Sequence, residues 1–322
     1  MKNKVIGVDI GGTNIKIGIL TKQGKIIQKT SIPTNPKEGP EKIIKRLCSR
    51  IKDLCNESKI KISDIIRIGV GCPGPLDSKK GIIIKTPNLP GWDNFPLKKR
   101  IESRLKIPTI VNNDANSATY GEYWLGAGKG YSTIVCYTLG TGIGGGIILN
   151  GKLFKGIDDT AGHLGHITII PDGPRCRCGN RGCLEALASA PNLVKRAIKG
   201  IKRGIKTKLT SLSKGKLQAI TSQMIYLSAS QGDKFSRELL DETGRYLGIA
   251  VAGILNTLNP EIVIFSGGMI EAGELLFKPL RKEAKRRAFP QPAKRVKIVK
   301  AKLGNDAGII GSVGLALRGD NF

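Results

Sequence analysis

Strand-length apolar blocks open the chain. Val5–Ile10, Ile15–Leu20 and Lys25–Ser31 read as three consecutive strands in a meander, the first two joined across Gly11-Gly12. At about Pro40–Lys59 the period changes. Ile43, Ile44, Leu47, Ile51 and Leu54 recur three and four residues apart, the spacing of one helix face. Ile65–Val70 predicts a buried strand ending in Gly71-Cys72-Pro73-Gly74-Pro75, and Thr109–Val111 another ending at Asn112-Asn113-Asp114. The second half repeats the plan. Ser132–Thr138 and Gly146–Leu149 flank a glycine turn, and Asn150-Gly151 is a hairpin signal. A basic helical stretch follows, then a helix near Phe235–Thr257 and a strand Glu261–Phe265 ending at Ser266-Gly267-Gly268. A small-residue helix, Ala307–Leu317, closes the chain. Strands then helices, twice over, predict a duplicated α/β fold.

The length, 322 residues, suits about two domains, and 40% hydrophobic residues suffice for two cores. No apolar run reaches the ~18 residues of a membrane span. The start Met1-Lys2-Asn3-Lys4-Val5 leads straight into a strand, leaving no room for a signal peptide, so the expected setting is cytoplasmic. Basic side chains outnumber acidic ones 53 to 25, a net charge of +28. Such a balance raises nucleic acid as a partner. Its densest stretches, Lys195–Lys216 and Arg281–Lys302, hold few aromatics and no legible nucleic-acid motif. A solvated lysine-rich surface that weakly steers anionic nucleotides is the preferred reading.

Two glycine-rich turns carry the chemistry. Asp9-Ile10-Gly11-Gly12-Thr13-Asn14 and Thr138-Leu139-Gly140-Thr141-Gly142-Ile143-Gly144-Gly145-Gly146 each follow an apolar strand and precede another. Glycines leave backbone N–H groups uncovered, so these turns can converge on phosphate oxygens. Asp9, at a strand end, can hold a hydrated Mg²⁺. The plain alternative is a pair of ordinary hairpin turns. Three other matches are rejected. Gly140–Gly145 and Gly69–Gly74 fit G-x-G-x-x-G, but neither opens a helix. Gly146–Lys152 has Walker-A spacing, but Leu153 stands where a Mg²⁺-binding hydroxyl belongs.

The only two histidines, His163 and His166, lie just before Cys176, Cys178 and Cys183. One imidazole and three thiolates make the closed sphere of a structural Zn²⁺, organising a loop with little core of its own. A reduced thiol cluster or a disulfide is the alternative. Cys48, Cys55, Cys72 and Cys136 sit among apolar residues and read as buried small hydrophobes. Asp114 follows a strand between the two glycine turns and is the candidate catalytic base for a hydroxyl attacking phosphorus. Capping the helix that starts at Ala115 is an equally good use of it.

With these residues in place the chain resembles the ROK sugar kinases (repressor, open reading frame, kinase), most closely their glucokinase branch, from Val5 to Leu317. The resemblance rests on Asp9–Asn14, Gly71–Pro75, Pro87–Trp92, Asn113–Asn116, Gly140–Gly146, Gly165-His166, Cys176–Glu185 and Ser266–Gly268. It implies an actin-like, hexokinase-like (ribonuclease H-like) ATPase fold with two lobes and ATP in the interlobe cleft. The expected N-terminal lobe is residues 1–114 plus 303–322; the C-terminal lobe is 115–302, with the zinc-binding loop at 163–185. The resemblance further implies that Asp9, Gly11, Gly12, Thr13, Asn14, Lys16, Thr141 and Gly142 face the phosphates of ATP with Mg²⁺. Gly267 and Gly268 would lie by the adenosine. Asn88, Asn113, Asp114, His166 and Glu185 would hold the sugar. His166, with Cys176, Cys178 and Cys183, would bind Zn²⁺ through one ring nitrogen and a sugar hydroxyl through the other.

The chain departs from the family pattern at one place. Where that pattern reads Glu-x-Gly-His, this sequence has His163-Leu164-Gly165-His166. A carboxylate only accepts hydrogen bonds, whereas a neutral imidazole offers one donor and one acceptor, so His163 bears on discrimination at the sugar's C1 and C2. The leading expectation is transfer of the γ-phosphoryl group to the 6-hydroxyl of a hexose, glucose first. N-acetylmannosamine, mannose and fructose are alternative acceptors, and another nucleotide or polyphosphate alternative donors. A sugar-responsive repressor is disfavoured because only eight residues precede Asp9. A non-catalytic sugar-binding regulator is the remaining class. The resemblance also implies a homo-oligomer, dimer or tetramer.

Overall fold

The computed structural model describes residues 3–86 and 89–319. By internal contacts the chain forms two units, Met1–Ser132 with Gly146–Gly162 and Ala301–Phe322, and Thr133–Gly145 with His163–Lys300.

In the first unit, β1 (Lys4–Ile10), β2 (Asn14–Thr21) and β3 (Ile26–Pro33) form the expected antiparallel meander. Helix α1 (Pro40–Glu57) follows, then β4 (Ile65–Cys72), the small hairpin β5 (Leu76–Asp77) and β6 (Ile82–Ile83), α2 (Leu97–Leu105), β7 (Thr109–Asn113) and α3 (Asp114–Leu125). The sheet order is β3-β2-β1-β4-β7, with β1/β4 and β4/β7 parallel. Period-two alternation sorts its two faces. Ile6, Val8 and Ile10 of β1 join Ile68 and Val70 of β4 and the α1 stripe Ile43, Ile44, Leu47, Ile51 and Leu54 in one core. Val5 and Leu20 point the other way, into a core shared with the C-terminal helix.

The second unit is built around β8 (Ile134–Leu139) and holds the start of β9 (Ile143–Leu149), whose remainder, with β10 (Lys152–Leu153), is counted in the first unit. Helices α4 (Leu184–Ala188), α5 (Ala190–Lys202), α6 (Lys208–Leu212), α7 (Ser222–Ser230) and α8 (Lys234–Leu258) come next. Strand β11 (Ile262–Ser266), α9 (Glu274–Arg287), α10 (Pro290–Arg295) and β12 (Lys297–Lys300) complete it, and α11 (Ala307–Arg318) returns to the first unit. The second sheet has the order β10-β9-β8-β11-β12. Its β9 begins three residues before the expected Gly146, because Ile143-Gly144-Gly145 already run as strand. Asn150 and Gly151 take positive φ, 51° and 74°, in the turn that sets Lys152 opposite Leu149. The Walker-A-like stretch is therefore a hairpin, as expected, and a strand follows Gly140–Gly142 rather than a helix.

The units differ from the lobe boundary expected at 114/115. Helix α3 packs on α11 and belongs to the first unit, as do residues 146–162. The cause is backbone-to-backbone packing. A Cβ on Gly311 of α11 would lie 1.6 Å from the Ser117 carbonyl oxygen of α3, and one on Gly121 of α3 would lie 2.4 Å from that of Ala307. Under the same helix, a Cβ on Gly69 of β4 would lie 1.9 Å from the Ser312 carbonyl oxygen. At these glycines α11 touches sheet and helix backbone to backbone, beside the side-chain core of Val5, Leu20, Ile309 and Val313. Gly311→Ala is expected to destabilise the protein by about 3 kcal/mol, because the obstacle is main chain that cannot rotate away. Chemical denaturation with an unchanged slope and a lowered midpoint would record it; a neutral effect would show that α11 can shift at low cost.

Candidate active site

In the first unit, parallel register brings the expected residues together. Asp9 on β1 stands opposite Gly71 on β4, and Gly71 stands opposite Asn112 on β7, so three adjacent strands end on one rim. Asp114 begins α3 one step beyond β7. Gly71 leaves room for it: a Cβ there would sit 3.5 Å from the Asp114 Cα and 3.1 Å from the Ser117 hydroxyl. Burial pushes the Asp114 carboxyl up to about 6, with Asp9 adding to the rise and the Ala115 N–H opposing it. The residue keeps part of its surface accessible, so its carboxyl is desolvated but reachable. Burial also raises Asp9, opposed by Lys16, whose ammonium lies 3.7 Å away.

The cap expected of Asp114 belongs mainly to Asn113. The Asn113 Oδ1 accepts the N–H groups of Ala115 and Asn116 at 2.9 and 3.2 Å, and its Nδ2 donates to the Gly74 carbonyl at 3.3 Å. Asp114 Oδ1 accepts the Ala115 N–H at 2.8 Å. That leaves Asp114 Oδ2 and one N–H proton of Asn113 to meet a ligand.

The Gly11-Gly12 turn joins β1 and β2 as a hairpin. Gly11 N–H donates to the Asn14 carbonyl at 3.0 Å, while Gly12, Thr13 and Asn14 are exposed. Lys16 points back along β2, its Nζ donating to the Asn305 carbonyl at 3.2 Å. The sequence reading missed Gly308: a Cβ there would come within 2.7 Å of the Asp9 carboxyl, so only glycine lets that carboxyl pack against the first turn of α11. The density of small residues in this helix was the available signal. Asn88 lies outside the described residues.

In the second unit, β8 and β11 run parallel and bring two glycine pairs to one rim. Ser266 stands opposite Thr138, and Gly267, at φ 93°, is placed so that a Cβ would lie 2.2 Å from the Leu139 carbonyl oxygen. The second glycine turn, which begins at Gly140, and the Gly267-Gly268 pair therefore leave the same ends of two adjacent strands. Glu185, second residue of α4, reaches back to this turn, its Oε2 accepting the Ile143 N–H at 2.8 Å. A Cβ on Gly142 would fall 2.5 Å from that oxygen.

His166, Cys176, Cys178 and Cys183 converge, each presenting a ligand atom within 4.8 Å of the others. Cys178 Sγ lies 3.7 Å from Cys183 Sγ, and Cys176 Sγ lies 3.7 Å from His166 Nδ1. A tetrahedral Zn²⁺ with Zn–S of about 2.3 Å sets its sulfurs roughly 3.8 Å apart, so the cradle has the ion's dimensions. All seven cysteines are free thiols. No disulfide closes the loop, and Cys48, Cys55, Cys72 and Cys136 are buried, as expected of small hydrophobes. His163 is not in the cluster. It precedes the short turn Leu164–His166 with its ring centroid 6.2 Å from that of His166. Between them Gly165 presses on the second glycine turn, where a Cβ would meet the Ile143 carbonyl oxygen at 2.0 Å.

Sheets of this topology, each with a glycine turn at its rim, form the actin-like, hexokinase-like α/β architecture, and the protein is a phosphotransferase with an alcohol group as acceptor. The chain belongs to the ROK family, whose sequence pattern it matches over residues 5–318. It is 41% identical to a glucokinase of Halalkalibacterium halodurans over 318 residues, 98% of this chain and 96% of that one. A solved ROK family glucokinase from Streptomyces griseus, in complex with glucose and AMPPNP, superposes with a TM-score of 0.85 at 34% identity. That match covers 98% of this chain and 100% of the other. A xylose repressor of Caldicellulosiruptor bescii is 31% identical over 97% of this chain and 78% of the repressor. Among the described residues no helix is long and apolar enough to cross a membrane.

Proposed function

We propose that this protein is an ATP-dependent hexose kinase that transfers the γ-phosphoryl group to the 6-hydroxyl of glucose. The carrying observation is Asp114: a part-accessible carboxyl, raised to about 6, directly after β7, which lies two places from the strand of Asp9 in the same sheet. Its Oδ2 accepts the proton of the attacking hydroxyl as the new O–P bond forms and the bridging bond to the β-phosphate breaks. Phosphoryl transfer asks mainly for alignment and neutralised charge, so one placed carboxylate is sufficient as base. Asp9 is the residue to hold Mg²⁺, which supplies charge neutralisation at the phosphates when bound. A single carboxylate with room for water and phosphate oxygens is the usual magnesium arrangement. The backbone of Gly11, Gly12 and Thr13, with Asn14 and Lys16, takes phosphate oxygens, as do Thr141 and Gly142. Gly267 and Gly268 flank the adenosine.

Asn88, Asn113, His163, His166 and Glu185 are the proposed sugar contacts. Zn²⁺ is the proposed occupant of the Cys₃His cradle, which fits it in ligand type and spacing. Because His166 turns Nδ1 toward the sulfurs, its Nε2 is the nitrogen left for a sugar hydroxyl. That division of labour fixes ring orientation and tautomer. A cytoplasmic, homo-oligomeric enzyme with reduced thiols completes the proposal.

Coupled detection of ADP across glucose, mannose, N-acetylmannosamine and fructose, with ATP and polyphosphate as donors, tests this reading. Glucose with ATP is expected to give the highest kcat/KM, and no turnover of any pair would overturn it. The same panel on His163→Glu tests the departure at that site. Restoring the carboxylate is expected to shift the glucose-to-mannose ratio by about tenfold, the scale of one hydrogen-bond contact. An unchanged ratio removes His163 from the sugar site.

A further inference from the structure

A second cavity of about 600 Å³ opens in the first unit, away from the acids, at the far ends of α3 and α11. Tyr120, Tyr123 and Trp124 of α3 form one wall, with Tyr120 and Tyr123 edge to face at 5.6 Å. Glycine makes room for them: a Cβ on Gly314 of α11 would lie 2.6 Å from the Tyr120 ring and 2.8 Å from that of Trp124. The charged residues lining the cavity are Lys22, Lys129 and Arg318, with no carboxylate among the described lining residues. None of the three forms an ion pair with a described residue. Arg318 is held in place, its guanidinium 5.6 Å over the Tyr120 ring and donating to the Gly151 carbonyl at 3.4 Å.

We infer that this cavity binds a small phosphorylated ring compound. Three cations line the cavity and none is paired with a carboxylate of a described residue, a balance that favours an anion, and Arg318 braced on an aromatic face offers its remaining N–H groups as a fork for phosphate. The half-buried rings of Tyr123 and Trp124 beside them suit the planar face of a base or the C–H face of a sugar. The volume lies within the usual range for small-molecule sites, about 300–1,000 Å³. Two sources share this chemistry, a nucleoside monophosphate and a hexose phosphate, and separate probes tell them apart.

Intrinsic fluorescence reads the site directly. The chain has two tryptophans, and Trp92 is fully buried elsewhere, so a response lost in Trp124→Phe comes from the cavity wall. The full chain is titrated with AMP, glucose 6-phosphate, adenosine, glucose and inorganic phosphate. A saturable change is expected with AMP or with glucose 6-phosphate, none with adenosine or glucose, and a weaker one with inorganic phosphate alone. Lys129→Glu and Arg318→Glu, assayed separately, are each expected to raise the Kd of the responding probe by about tenfold or more, the scale of one lost charge contact. Both are expected to keep kcat and KM for sugar and ATP. A response to none of the five probes, or a Kd unmoved by both charge reversals, overturns the inference. The kinase reading stands or falls separately, on turnover by the wild type.

Discussion

Asp114→Asn is expected to lower kcat by about 10³-fold while raising thermal stability. The catalytic loss follows from removing a positioned proton acceptor, an effect that spans roughly 10²–10⁴. The stability gain follows from the raised carboxyl. Its folded value, about 6, exceeds the ordinary 3.8, so the folded state favours the protonated form. A group of this sign lends stability below its unfolded pKa and loses it as pH rises through the folded one. At pH 7 the ionised Asp114 therefore costs the fold, on the order of 2 kcal/mol once its part exposure is discounted. Asparagine removes the charge, keeps the size, and still offers an oxygen to the Ala115 N–H. Calorimetry is expected to show Asp114→Asn melting a few degrees above wild type at pH 7, with the difference closing below about pH 4. Sugar binding, followed by titration without nucleotide, is expected to survive. The wild type should show a matching acid limb in kcat/KM with its midpoint near 6, since the base works only when ionised. A variant that keeps activity, or one that loses activity and stability together at pH 7, would assign Asp114 to structure rather than to chemistry.

Much of this arrangement was legible before any coordinates. The strands before each glycine turn, the α1 stripe from Ile43 to Leu54 and the Asn150-Gly151 hairpin follow from periodicity and turn chemistry, which act locally. The cysteine and histidine cluster was legible because its members lie close in sequence. What sequence could not show is long-range. Gly311 against Ser117, Gly69 against Ser312 and Gly308 against Asp9 are contacts between distant segments, and a glycine carries no mark of which backbone it approaches. That is why residues 115–132 were assigned to the C-terminal lobe, although α3 rests on α11. The exchange of roles at the start of α3 has a related cause. Asn and Asp are both good caps, and only the turn of the chain after β7 decides that Asn113 takes the orphan N–H groups and frees an oxygen of Asp114. The cavity beyond Trp124 was invisible for the same reason, since its three cations come from three separate stretches of chain.

Removal of the proposed zinc is expected to produce the largest structural effect. The segment from His166 to Cys183 buries little of its own: Ile167, Ile169 and Ile170 are exposed or half-buried, and Cys176 and Cys183 pack with Ala186 of α4 in one small cluster. A metal joining His166, Cys176, Cys178 and Cys183 substitutes for that missing core, and binding in such spheres releases about 10–16 kcal/mol in small peptides at neutral pH. Glu185 follows Cys183 by two residues and fastens the second glycine turn through the Ile143 N–H, so disorder in the loop reaches the turn proposed to hold phosphate. Cys183→Ser, the most buried of the four ligands, is expected to abolish metal retention, lower the melting temperature by more than the Gly311→Ala change, and raise the sugar KM at least tenfold. Cys178→Ser, at an exposed corner of the sphere, is expected to retain part of the metal and to show a milder rise. Elemental analysis of wild-type protein purified from zinc-supplemented medium should give one zinc per chain. Protein that carries no zinc and whose stability is indifferent to chelators would refute the structural role, leaving His166 to be held by the thiols alone.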